Sequence, residues 1–289
     1  MATTRSAPLQ GSARSAPQTF APASRRARRA SAGSWLLPGG FIVLLIVAWQ
    51  LITQYTHWVQ PYVLPQPWDV VARMAQDPSM LFGSFRVTLT EVLVGFVLGS
   101  LIGVLIALPI AYSPSVRNTL YPLIIASQAV PKIAIAPLLV VWLGLGWTPK
   151  LTVVALMVFF PVAMTSVQGF SSVDRNLIDL LRSVHAPQWQ VFLKVRLPHA
   201  LPHIFSGLKI GITLAVVGAV VGEWVGANSG LGYLLLHANS MLDTTLLYAS
   251  LVLLVVMGVV LFALMEVIER VLMPWQEPQR LQKPFCCAR

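Results

Sequence analysis

Five stretches of this chain hold no aspartate, glutamate, lysine or arginine: residues 30–68, 92–116, 151–173, 224–242 and 244–265. A sixth, 118–149, is interrupted only by Lys132. A helix needs about 20 mostly apolar residues to cross the hydrocarbon core of a bilayer, and only helices and closed barrels satisfy their own backbone there. These runs are too long and too uniformly apolar for the alternating strands of a barrel. The pattern predicts an all-α polytopic membrane protein with six spans, near 37–55, 86–111, 120–143, 149–170, 205–226 and 245–270. Composition agrees, with 56% of the 289 residues hydrophobic and 10% charged. Soluble domains carry roughly a quarter charged residues, so a soluble enzyme and a disordered interaction protein are both excluded. Cys286 and Cys287 are the only cysteines. Adjacent thiols of this kind cannot staple a small secreted module.

The basic residues set the orientation. With six spans, both termini share a side with the 2–3 and 4–5 connections. That side takes sixteen of the 20 lysines and arginines, six of them in the first 29 residues. The other side keeps Arg73, Arg86 and Lys150, and Lys132 falls within a span. Such a bias places both ends in the cytoplasm. The net charge of +10 is therefore mostly topology, and with no basic helix or stacking aromatics a nucleic-acid partner is set aside. Residues 1–34, rich in Ala, Ser, Pro and Arg with no acidic residue, read as a disordered basic tail that anchors the first span. Residues 35–275 form the membrane domain, and 276–289 a second cytoplasmic tail.

Between the spans, residues 56–84 form an external segment with a short surface helix near 69–76. The longest cytoplasmic connection is 171–204. Gly95, Gly99 and Gly103 recur every four residues, as do Gly218, Gly222 and Gly226, preceded by Gly207 and Gly211. That period lines small residues along one helical face and predicts close helix contacts. Pro131 and Pro137 should bend the third span. Near them lie Ser127, Gln128 and Lys132; with Glu91 and Glu223 they complete a polar set inside the spans. Such groups are costly in lipid unless paired or hydrated, so they mark either a pathway or a structural Glu–Lys pair. His199 and His203 stand at i, i+4, but Pro202 should break the helix that would join them, which leaves them as loop residues. No metal-ligand spacing and no P-loop is present, so this chain carries no cofactor of its own.

The 4–5 connection is the most informative segment. It reads Asp179, Leu180, Leu181, Arg182, Ser183, Val184, His185, then Ala186, Pro187, Gln188 and Trp189, and closes on Leu197 and Pro198. The spacing resembles the cytoplasmic signature of bacterial ABC-importer permeases, Glu-Ala-Ala, three residues, Gly, nine residues, Ile-x-Leu-Pro. Further fragments, IAPLLVVWLGLG at 135–146, FFP at 159–161, SSVD at 171–174 and GLGY at 230–233, resemble the nitrate, sulfonate and taurine importer group. VGAVVGEWVG at 217–226 is similar to permeases for pyrimidine precursors or riboflavin.

The resemblance implies a type I importer permease in a bacterial inner membrane. Its partners would be cytoplasmic ATPase subunits, which hold the ATP and Mg, an external solute-binding protein and a second permease copy, all within membrane lipid. It further implies that residues 182–189 dock on the ATPase as the turn of a short helix-turn-helix. Asp179, Leu180 and Leu181 depart from Glu-Ala-Ala, and His185 stands where the signature has glycine. Glycine there serves a turn of positive φ or a close approach, and histidine tolerates the left-handed region better than most residues. The rival readings are an ion-coupled secondary transporter, which needs an acidic or histidine relay and inverted repeats, and a membrane enzyme, which needs paired carboxylates or a metal cluster.

Overall fold

The computed structural model describes residues 33–55 and 63–274, and every element among them is helical. In chain order these are α1 (Gly33–Tyr55), α2 (Pro67–Gln76), α3 (Pro78–Tyr112), α4 (Pro114–Ser127), α5 (Lys132–Leu143), α6 (Trp147–Ser171), α7 (Arg175–Ser183) and α8 (Gln188–Val191). A π-helical turn, Phe192–Arg196, leads into α9 (Leu197–Gly226), followed by α10 (Leu231–Ser240) and α11 (Thr244–Leu272). The expectations for residues 1–32 and 276–289, including Cys286 and Cys287, lie outside the described residues. The chain falls into two units that divide inside α1, one ending at Trp49 and the other starting at Gln50. The first holds the N-terminal part of α1, an apolar helix.

Among the described residues, four helical stretches are long and apolar enough to cross a membrane: α3, α6, the run from α8 through α9, and α11. A fifth appears if α4 and α5 count as one broken span, while α1 contributes the shorter apolar stretch Gly39–Tyr55. The third expected span is thus a pair of helices meeting at 95° rather than one bent rod. The break falls at Pro131, whose extended backbone (φ −67°, ψ 101°) starts α5 and whose ring removes a donor. Pro137 lies inside α5 without ending it. The expected surface helix is α2. The link before the last span, read as a short glycine-rich loop, contains the ten-residue α10.

The glycine ladders explain the packing. A Cβ on Gly95 or Gly99 would stand 2.5 Å from Val154 Cβ or the Ala155 carbonyl oxygen, and Gly103 faces Val162 and Ala163. These contacts advance together along both helices, so α3 runs parallel to α6. From α9, Gly207 meets Pro161 and Val162, Gly211 meets Val158, Gly218 meets Val154 and Gly222 meets Lys150. That order is reversed, so α9 runs antiparallel. Both ladders clamp the same helix, and α6 makes its most extensive contacts with α9 and α3. Small residues let the backbones approach where lipid offers no hydrophobic drive for helices to associate. The main apolar core joins Val92 and Phe96 of α3, Val154 and Val158 of α6, Ile212 and Ala219 of α9, and Leu254 and Met257 of α11.

Candidate functional site

The three packed helices carry polar groups at both ends. At the first lie the N-terminus of α6 and the C-terminus of α9. Glu91 of α3 is fully buried, and its Oε1 accepts from Lys150 Nζ at 2.7 Å; Lys150 is 5% exposed. One turn earlier, Thr88 Oγ1 donates to Glu223 Oε1 at 2.6 Å and accepts from the Leu231 N–H at 2.8 Å. The other oxygen of Glu223 accepts from the backbone N–H groups of Gly232 (2.5 Å) and Tyr233 (3.1 Å). Glu223 therefore caps α10, where unpaired donors and the helix dipole favour a negative charge. Gly230 makes the turn possible: its φ is +117°, and a side chain there would collide with the Glu223 carboxylate. A cleft of about 900 Å³ opens beside this network, walled by α6, α9 and α10.

Glu91 and Glu223 thus sit together, but their cation is Lys150 rather than Lys132. Lys150, expected among the external charges, is the cation of the structural Glu–Lys pair that the polar set left open, although the partners stand 59 positions apart. Lys132 instead stands 4.7 Å from the centroid of Phe160, a cation–π contact on α6. Ser127 Oγ donates to the Ile124 carbonyl at 2.8 Å, and Gln128 caps α4. Neither Lys132, Ser127 nor Gln128 lines the cleft beside Glu223.

The opposite end carries the 171–204 connection. Asp174 Oδ1 accepts from the Asn176 N–H and starts α7, whose apolar and polar residues fall on separate faces. Its last turn holds Arg182 and Ser183, with Ser183 Oγ donating to the Leu180 carbonyl at 2.7 Å. His185 has φ +54°, and the Ala186 N–H bonds back to the Leu181 carbonyl at 3.0 Å. That six-to-one bond closes a helix C-terminus through a left-handed residue, with Pro187 following to prevent continuation. Gln188 and Trp189 then begin α8. The turn leaves Leu180, Val184 and Trp189 between 60% and 67% exposed.

The π turn fixes the connection to the helices above it. Phe192 lies 6.1 Å from Phe170 of α6 and 6.2 Å from Tyr112 of α3, while the Arg196 guanidinium sits 4.3 Å from the Tyr112 ring centroid. A pocket of about 700 Å³ lies beneath, lined in part by Arg117, Asp179 and Arg196. Leu197 and Pro198 open α9. Pro198 stands in the first turn of α9, directly after the π turn. Contrary to expectation, α9 continues through Pro202. His203 packs against Gly169 of α6, whereas His199 is exposed.

Residues 81–277 match the family described as binding-protein-dependent transport system inner membrane component. The chain belongs to this family. The formylaminopyrimidine transport permease protein ThiX of Halalkalibacterium halodurans is 34% identical over 84% of this chain and 97% of its own length. The riboflavin transport system permease protein RibX of Chloroflexus aurantiacus is 35% identical over 81% and 88%. Among solved structures, an inward-facing MetNI methionine ABC transporter superposes with a TM-score of 0.53 at 22% identity, covering 72% of this chain and 97% of that one. The chain is a multi-pass inner-membrane permease subunit of an ABC importer, a transport subunit rather than an enzyme. The secondary-transporter and membrane-enzyme readings give way to it.

Proposed function

We propose that two copies of this permease form a twofold pore in membrane lipid, each with six spans when α1 and the α4–α5 pair are counted as one each, and with both termini cytoplasmic. An external binding protein delivers a small solute, and ATPase subunits on the cytoplasmic side hold the ATP and Mg. ATP closes the ATPase dimer only if it binds one conformation better than the other, and that difference is what the pore can use. The stroke enters through residues 182–189. A compact turn passes on a rigid displacement, which a floppy loop cannot do. Of the two solute classes implied by the sequence, taurine-like anion or pyrimidine- and riboflavin-like heterocycle, the names of ThiX and RibX favour the heterocycle.

One observation carries the docking assignment: the left-handed turn at His185 holds Leu180, Val184 and Trp189 out of the protein in a preformed helical knob. Large apolar side chains gathered on an ordered connection mark a contact surface. Replacing Val184 by Cys and cross-linking the assembled importer is expected to join this chain to the ATPase. Asp179→Ala and Arg182→Ala are each expected to leave the chain in the membrane while separating ATP hydrolysis from uptake. Normal uptake by both variants, with no cross-link from position 184, would remove the assignment.

A further inference from the structure

The geometry points to a solute contact in the permease itself: the cleft between α6, α9 and α10 takes a planar, uncharged nitrogen heterocycle. This rests on the importer reading above and adds where in this chain the solute is held, and by what chemistry. The cleft lies at the end of α6 and α9 remote from residues 171–204, which is the side facing the binding protein. Its volume of about 900 Å³ falls within the range of small-molecule sites, about 300–1,000 Å³.

The walls carry two kinds of group. Trp147, Trp224, Tyr233 and His237 supply aromatic surface. Tyr233 and His237, one helical turn apart on α10, lie nearly parallel, 12° between planes and 5.9 Å between centroids. No ring fits between them at that spacing, so each leaves only its outer face for stacking. Asn228 and Asn239 are exposed in the cleft, and their side chains make no hydrogen bond among the described residues. A carboxamide offers both donors and an acceptor, the complement of a heterocycle edge with ring nitrogens and amino or carbonyl groups.

Charge decides against an anion. The lysine and the glutamate that line the cleft are both engaged internally, Lys150 with Glu91 and Glu223 with Thr88 and the α10 N-terminus. A sulfonate entering here would lose water without meeting a free cation, and would stand beside the Glu223 carboxylate. A neutral solute pays neither cost.

The test uses the complete importer in nanodiscs, with Asn239→Cys in a chain whose two natural cysteines are changed to Ser. Maleimide labelling of position 239 is followed with riboflavin, formylaminopyrimidine or taurine as probe, first without the binding protein. We expect at least one heterocycle to slow labelling by about three-fold or more and taurine to leave it unchanged. In a separate variant, His237→Ala is expected to raise the KM for heterocycle uptake by about five-fold or more, the scale of one lost stacking contact. Equal or stronger protection by taurine would overturn the solute class. Protection by the binding protein alone would make the cleft a protein-docking surface, and protection by nothing would remove it as a site. The assembly reading fails separately, if the purified wild-type chain holds no ATPase subunit at residues 182–189.

Discussion

The Glu91–Lys150 pair offers the sharpest physical test. Lys150→Met keeps the aliphatic stem that packs on Gly222 but removes the ammonium group. Glu91 is then left fully buried, with Oε2 already lacking a partner and with Glu223 close by. Breaking a buried pair from one side costs about 3–5 kcal/mol, because the remaining charge has no compensation. In chains of a couple of hundred residues each kcal/mol moves the thermal midpoint by roughly 2–4 °C. The variant should therefore unfold about 6–20 °C below the wild type in the same detergent. The nine tryptophans provide the fluorescence signal.

The double variant Glu91→Met, Lys150→Met carries the argument. Replacing both members of a buried pair by apolar side chains of similar volume is often neutral or stabilising by about 1–4 kcal/mol. The double variant should thus regain most of what the single one loses, and the cycle should give a coupling energy above about 1 kcal/mol. A single variant within about 1 °C of wild type, or a double variant worse than the single, would refute a buried ion pair at this position.

Gly99→Ala should be poorly tolerated, because its Cβ would stand 2.5 Å from the Ala155 carbonyl oxygen. Gly258→Ala, with nothing within 4 Å, should be neutral or stabilise by up to about 1 kcal/mol; folded yield in size-exclusion chromatography separates the two. Leu242 has φ +58° and is exposed, so Leu242→Gly should relieve a left-handed strain of about 1–2 kcal/mol and raise the midpoint. Burial opposes ionisation of Asp243, but hydrogen bonds from Thr245 and the Leu246 N–H, together with Arg73, outweigh it and hold its pKa below the ordinary value. A depressed carboxylate stabilises the fold above its unfolded pKa, near 4, and the gain is lost as pH falls through the folded value. Asp243→Asn should therefore lower the midpoint at pH 7 and flatten its acid dependence below about pH 4.

Why the sequence disclosed some of this and not the rest follows from what each signal measures. Runs without charge report which segments can sit in lipid, so α3, α6, α9 and α11 were each visible in outline. The same signal is blind to direction, because a broken helix and a straight one have equal hydropathy; α4 and α5 differ from a single rod only through the backbone at 128–131. Four-residue glycine periods announce a close approach but not the neighbour. That both ladders close on α6 depends on helix crossings set by the whole bundle. The turn at His185 was legible because its departure from glycine is itself a statement about φ, a property local to one residue. The pairing of Glu91 with Lys150 was not. An isolated carboxylate in a span demands a partner, and the lysine that the pattern puts inside a span is Lys132, with Lys150 counted among the external charges. Only the parallel alignment of α3 with α6, which brings Thr88 and Glu91 level with the first turn of α6, decides between them. The antiparallel packing of α9 on α6 brings Glu223 to the same level, where it meets Thr88 and caps the start of α10. The membrane therefore fixes where charged groups are expensive, and the glycine contacts fix which of them can meet. The polar network at the head of the bundle is a consequence of how tightly α3 and α9 press on α6.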